Sequence, residues 1–368
     1  MSEAPSRWPT HRRDGARTMK SLPASRYILT AAIWLVVVGI TARGAGTTVT
    51  HVIESSAVAD NRMDIASRRP VFVYLPDGYA DTRRSYPVLY WIPGWSTPAS
   101  REYVGALDQH IIYGMPPAIV VSIDVREGIV LLNSSVFGRW EDFVVEELVP
   151  FIDTQYRTIP APTGRAVMGH STGGYSALML ALRHEGVWSA VGVNDASVWA
   201  ACSPPFAGFP THLDDYDKLS GEMKVWVQLA AAISPDPHSP SGFRLPAADD
   251  NEDVVEQAWL PYCLQSLEGL STHSDALAAL AGVAIVVADD GFTNRPYNAS
   301  MWEQMRRLGA TGRLVGMPGS HGANRTTRFT FLADNVIARL DFRPGFPDAH
   351  AGALTWGALK ADASERHQ

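Results

Sequence analysis

Apolar positions along this chain fall into short runs whose spacing alternates between two periods. "VFVYLP" (Val71 to Pro76) and "YPVLYWIPG" (Tyr86 to Gly94), separated by the turn-rich "DGYADTRRS", read as successive strands, and "PAIVVSID" (Pro117 to Asp124) as a third. The period then changes. In "WEDFVVEELVPFIDTQY" the residues Trp140, Phe143, Val144, Leu148, Phe151 and Ile152 fall at helical spacing, which predicts a helix whose carboxylates form a solvated face. Farther on, "RAVMG" predicts a strand, "YSALMLALRHEG" a helix stopped by Gly186, "WSAVGV" and "VAIVVA" (Val283 to Ala288) strands, "NASMWEQMRRLG" a helix stopped by Gly309, and "RLVGMPG" a last strand. Strands alternating with helices predict an α/β fold, with a mostly parallel central sheet and helices on both faces. Residues from about Trp199 to Asp275 break the rhythm: "CSPPFAGFP" and "SPDPHSPSGFRLP" are proline-rich, and helices are expected only in "EMKVWVQLAAAI" and "EDVVEQAWLPYCLQSL". This predicts an insertion over the sheet edge, where such folds carry a lid or substrate pocket.

The N-terminus follows another pattern. Arg12, Arg13, Arg17, Lys20 and Arg26 precede the uncharged run "YILTAAIWLVVVGITA" (Tyr27 to Ala42) and the small-residue segment "ARGAG". That is the layout of a secretory signal, and the run is shorter than the roughly 20 apolar residues of a membrane span. The expected organisation is a signal peptide or retained anchor at 1–45, one domain at 46–347 and a disordered tail at 348–368. The Arg12-Arg13 pair lies too far from the apolar run to mark a twin-arginine signal by itself. Met1 and Met19 are both open as starts. The reading places the protein outside the cytoplasm, secreted or in the cell envelope, with any membrane association through this segment alone.

Composition narrows the partners. With 368 residues, 46% hydrophobic and 19% charged, the chain has material for a large core. Its formal charge of -7 is spread without a basic stripe, so nucleic acid is not expected and a small molecule is. Cys202 and Cys263 are the two cysteines. An oxidising compartment would permit a disulfide between them, and two buried thiols are the alternative.

One candidate site stands out. Gly169-His170-Ser171-Thr172-Gly173 is G-x-S-x-G, frequent by chance, but here it lies between a predicted strand and a predicted helix. In that setting the serine projects from a sharp elbow above a parallel sheet. A Cβ at Gly169 or Gly173 would clash there, and Gly174 adds room. Ser171 is therefore the expected nucleophile. Its base should follow the last strand, where His321 lies in "GMPGSHG"; its acid should follow the penultimate strand, where "VAIVVADDGF" ends in Asp289 and Asp290. One of these two aspartates is expected to hold the imidazole, since neighbouring residues leave a strand on opposite faces. His170 is read as packing or pocket wall, His184 as a helix end, and His238 and His273 as part of the insertion. No pair has zinc-ligand spacing such as H-E-x-x-H, and no metal or cofactor is implied. The backbone N–H of Thr172 and that of Trp95, after "VLYWIPG", are the expected oxyanion donors.

"YPVLYWIPG", "PPAIVVSID", "WEDFVVEELVPFIDTQYRT", "RAVMGHSTGGYSALMLAL" and "MPGSHG", in that order, resemble the esterase family of α/β-hydrolases that includes S-formylglutathione hydrolase (esterase D), enterochelin esterases, feruloyl esterase domains and antigen 85 mycolyltransferases. The similarity covers roughly Val71 to Leu340 and matches poorly in the insertion. It implies the α/β-hydrolase fold, Ser171 as nucleophile, His321 as base and an aspartate at 289 or 290; the family's usual G-x-x-D pattern, with Val287 standing in for its glycine, puts the acid at Asp290, which is the expected one. Many relatives have His-Gly where this chain has Pro93-Gly94, which bears on Trp95. The expected function is an exported serine esterase with a small-molecule ester substrate. The alternatives are an acyltransferase onto a sugar or lipid hydroxyl and a non-catalytic cell-envelope binding protein.

Overall fold

The computed structural model describes residues 46–98, 117–202, 209–244 and 257–340. The expected signal segment and tail lie outside them. Among the described residues no helix is long and apolar enough to cross a membrane.

Among the described residues ten strands follow one another: β1 (Thr47–Glu54), β2 (Arg68–Leu75), β3 (Val88–Ile92), β4 (Ile119–Ile123), the short β5 (Asn133–Ser134) and β6 (Gly138–Arg139), β7 (Arg165–His170), β8 (Ala190–Asn194), β9 (Gly282–Ala288) and β10 (Gly312–Met317). All but β5 and β6, which form a separate hairpin, make one sheet in the order β1-β2-β4-β3-β7-β8-β9-β10. The pairings β1–β2 and β2–β4 are antiparallel and the rest of the sheet is parallel. This is the expected α/β arrangement. The continuous apolar runs are its interior strands: every residue of β3, β4, β8 and β9 is buried, as strands covered on both faces require.

Alternation along the strands divides the core into two layers. Val88, Tyr90 and Ile92 of β3 join Val167, Val191, Val193 and Ile285 on one face. Leu89 and Trp91 join Met168, Val286 and Met317 on the other, beneath Phe329, Leu332, Ala333 and Val336 of the helix Arg325–Ile337. The first face carries the helix Thr172–Arg183 and a helix running from Trp140 to Gln155 whose middle, Phe143–Leu148, is π-helical. One expectation fails in that helix. Glu141 is not on a solvated face but 1% exposed, accepting from Arg183 Nε at 2.7 Å and from the Asn133 amide at 3.0 Å. A carboxylate can be buried there because a cation and a backbone donor both reach it.

The insertion leaves the sheet between β8 and β9. Its helix Gly221–Ile233 matches the expected one, capped by the Ser220 hydroxyl accepting from the Met223 amide at 3.2 Å. The second expected helix is broken. In its described part, residues 257–259 are helical, Leu260–Tyr262 is a single 3₁₀ turn, and a separate helix, Leu267–Ser271, starts at the Ser266 cap. Pro261 lacks the N–H that a continuing helix would use. Cys202 and Cys263 are joined in a disulfide with Cα atoms 4.5 Å apart, 61 positions apart in sequence. Closing a loop of that size lowers the entropy of the unfolded chain by about 4 kcal/mol in the loop-closure picture.

Candidate active site

The chain turns sharply between β7 and the helix Thr172–Arg183, and Ser171 takes the whole turn, with φ 55° and ψ −121°. That conformation costs a non-glycine residue of the order of 1–3 kcal/mol, and it persists because its surroundings leave no alternative. A Cβ at Gly169 would strike the Gly173 carbonyl, and one at Gly173 would strike the carbonyls of Ile92 and Pro93. The glycines therefore let strand, helix and the turn after β3 close on one another.

His321 follows β10, in a loop that a buried arginine holds in shape. Arg328, with no exposure, donates to the carbonyls of Met317 (3.2 Å), Pro318 (3.0 Å), Gly319 (2.9 Å), Ser320 (3.1 Å) and His321 (3.4 Å). The His321 amide donates to the Phe292 carbonyl at 2.8 Å. So placed, the imidazole Nε2 lies 3.0 Å from Ser171 Oγ. His170 packs against it, ring centroids 4.6 Å apart and planes tilted by 34°, with Nδ1–H donating to the Asn194 carbonyl at 3.1 Å. Burial first, then the neighbouring His321, pushes the His170 pKa down to about 3, so it is a neutral wall, as expected of it.

The acid behind His321 is not the expected one. Nδ1 lies 2.5 Å from Asp195 Oδ2, and Asp195 directly follows β8. Asp290 is exposed and makes no hydrogen bond among the described residues; Asp289 pairs with Arg295 at 2.6 Å. The physical reason is the course of the loops. At φ 49° Asp195 turns its carboxylate inward beneath the histidine loop, while the chain leaving β9 turns Asp289 and Asp290 outward. What the β9 loop supplies is donors: the Asn294 amide reaches both Asp195 oxygens at 3.1 Å, and the Thr293 hydroxyl reaches Oδ1 at 3.1 Å. Burial raises the Asp195 pKa, but the hydrogen bonds from His321 and from the Asn294 and Ala288 amides outweigh it and hold the carboxyl below its ordinary range. The signal in the sequence was "AVGVND", a carboxylate ending an apolar strand.

Of the expected oxyanion donors, Thr172 opens the helix after Ser171 and is buried. Trp95 follows Gly94, at which a Cβ would lie 3.3 Å from Ser171 Cβ, so the turn carrying Trp95 packs on the elbow. The Trp95 indole lies against Gly128 and close to Gly221, where the first insertion helix begins. His184 ends its helix, and His238 and His273 lie in the insertion, as expected. Among the described residues no three His, Cys, Asp or Glu side chains are grouped to hold a metal ion.

A mostly parallel sheet with a strand–serine–helix elbow is the α/β-hydrolase fold. Residues 63–228 match the model of the family described as "Putative esterase". Esterase Rv1288 of Mycobacterium tuberculosis is 36% identical over 120 residues, 32% of this chain and 26% of that protein. The match thus spans about a quarter of that relative's length. Among solved structures, a ferulic acid esterase is similar at 20% identity and TM-score 0.54, over 79% of this chain and 97% of its own. The S-formylglutathione hydrolase FrmB of Staphylococcus aureus is similar at 12% identity and TM-score 0.53, over 80% and 100%.

Proposed function

We propose that this protein is an exported serine esterase that hydrolyses a carboxylic ester through an acyl-enzyme on Ser171. The observation that carries the reading is the hydrogen-bonded chain Ser171–His321–Asp195 at the strained elbow. An ionised Asp195 holds the proton of the neutral imidazole on Nδ1, which leaves Nε2 free to accept the Ser171 proton as Oγ attacks the ester carbonyl. The imidazolium returns that proton to the departing alcohol, then takes one from water for deacylation. The Thr172 N–H at the helix start, and the Trp95 N–H from the turn packed on the elbow, are the donors for the tetrahedral oxyanion. Export rests on the basic and apolar pattern of residues 1–45, and the Cys202–Cys263 disulfide supports an oxidising compartment. The similar structures are named a ferulic acid esterase and an S-formylglutathione hydrolase, so the shared fold leaves the acyl and leaving groups open.

Ser171→Ala tests the reading, since alanine fits the elbow and removes only the nucleophile. Hydrolysis of p-nitrophenyl esters and covalent labelling by a fluorophosphonate probe should both vanish while the folded circular-dichroism spectrum stays. Turnover at the parent's rate would refute it, and diversion of the acyl group to an added sugar in the parent would make the protein a transferase.

A further inference from the structure

Ser171 Oγ has a second neighbour besides His321. Ser197 Oγ lies 3.2 Å from it, and Ser197 is 5% exposed. The Ser197 amide also donates to the Ser171 carbonyl at 3.0 Å, so the two residues are tied by backbone and side chain. The segment is held rigidly: the buried Asn298 side chain accepts from the Ala196 amide at 3.2 Å and donates to the Ala196 carbonyl at 2.7 Å, while Asn294 donates to the Asp195 carbonyl at 2.9 Å. One short loop after β8 therefore carries both the carboxylate behind His321 and a hydroxyl on Ser171.

The direction of the hydroxyl pair follows from counting protons, given the triad proposed above. Asp195 accepts from Nδ1–H, so Nε2 is an acceptor, and the single Ser171 proton goes to it. Ser197 can then only be the donor. We propose that Ser197 is a further catalytic residue, whose O–H donates to Ser171 Oγ and stabilises that oxygen as the leaving group of deacylation. In that step the water oxygen bonds to the acyl carbon and its proton passes to Nε2. The C–Oγ bond then breaks, and the imidazolium returns the proton to Oγ, which carries negative charge as it leaves. Ser197 keeps its own proton throughout. A hydrogen bond to Oγ opposes attack slightly and assists departure, so its effect separates the two half-reactions.

Pre-steady-state hydrolysis of p-nitrophenyl acetate reads acylation as a burst of nitrophenol and deacylation as the steady rate. Ser197→Ala should slow the steady rate about tenfold, the reach of one hydrogen bond, leave the burst rate within about threefold, and make the burst more prominent. Ser197→Cys keeps the volume with a weaker donor and should fall between; it carries the comparison if the alanine variant does not fold. Equal slowing of both phases, or of neither, would overturn the role of Ser197 while leaving the esterase reading intact. A parent that releases no nitrophenol and takes no fluorophosphonate would overturn both.

Discussion

Two neighbouring parallel strands, β8 and β9, are each followed directly by aspartate at the same edge of the sheet, and the two have opposite fates. After β8, Asp195 is fully buried, carries hydrogen bonds from Asn294, Thr293 and His321, and lies beneath the candidate nucleophile's histidine. After β9, Asp289 and Asp290 are exposed, and Asp289 meets Arg295 at the surface. The difference shows that position at the end of a strand does not make a carboxylate functional. A buried, unpartnered carboxylate costs several kcal/mol, so only the loop that finds enough donors can turn its aspartate inward. The donors come from the β9 loop itself, which keeps its own acids outside and turns Thr293 and Asn294 toward its neighbour.

The comparison breaks hardest at Asp195. Asp195→Asn should lower kcat about 10³- to 10⁴-fold on a p-nitrophenyl ester, because the amide holds the imidazole in the wrong tautomer and cannot balance its charge. Retained activity in that variant would return the role to the β9 loop. Next comes the arginine that shapes the histidine's side of the pair. Arg328→Met leaves buried carbonyls without a donor and should destabilise the fold by about 3 kcal/mol in urea titrations, with activity falling further than stability at 25 °C accounts for.

A smaller effect separates the groups by pH. His170, with its pKa lowered to about 3, stays neutral in the folded protein while an unfolded chain binds a proton below its ordinary value near 6.5. The stability tied to it is therefore present above pH 6.5 and lost as pH falls from there toward 3. The lowered Asp195 carboxyl gives its contribution above the ordinary aspartate value near 3.9 and loses it only below that. Between pH 6.5 and 4.5 the parent's urea midpoint should drop more than that of His170→Gln, and parallel curves would show that burial of His170 is not linked to folding. The smallest effect completes the comparison: Asp289→Asn and Asp290→Asn should each change kcat by less than about threefold, since neither carboxylate reaches the imidazole.

Much of the fold was legible because burial on two faces forces near-continuous apolar runs, which mark β3, β4, β7, β8 and β9 within a few residues, while β2 and the edge strand β10, only partly buried, were read from shorter apolar runs. The edge strand β1 was missed: "TTVTHVIE" is partly exposed, with no face fully buried. The helix Arg325–Ile337 was missed as well. Its sequence, "RTTRFTFLADNVI", mixes threonines among the apolar positions, and packing against the sheet makes it helical. The break at Pro261 lay open in the sequence as a proline within the expected helix.

By itself the sequence determined the elbow, because glycines on either side of Ser171 are local necessities of one turn, and it determined that His321 lies in a glycine-rich loop after the last strand. Only the tertiary structure decided which aspartate joins them. That choice depends on where donors from Thr293 and Asn294 fall relative to two strand ends nearly a hundred residues apart in sequence, and on the left-handed turn at Asp195 that aims one carboxylate inward. The same holds for Ser197 and the Cys202–Cys263 pair, whose partners lie 26 and 61 positions away in sequence and meet only in the fold, since nothing in a residue's immediate neighbours encodes a contact closed across it.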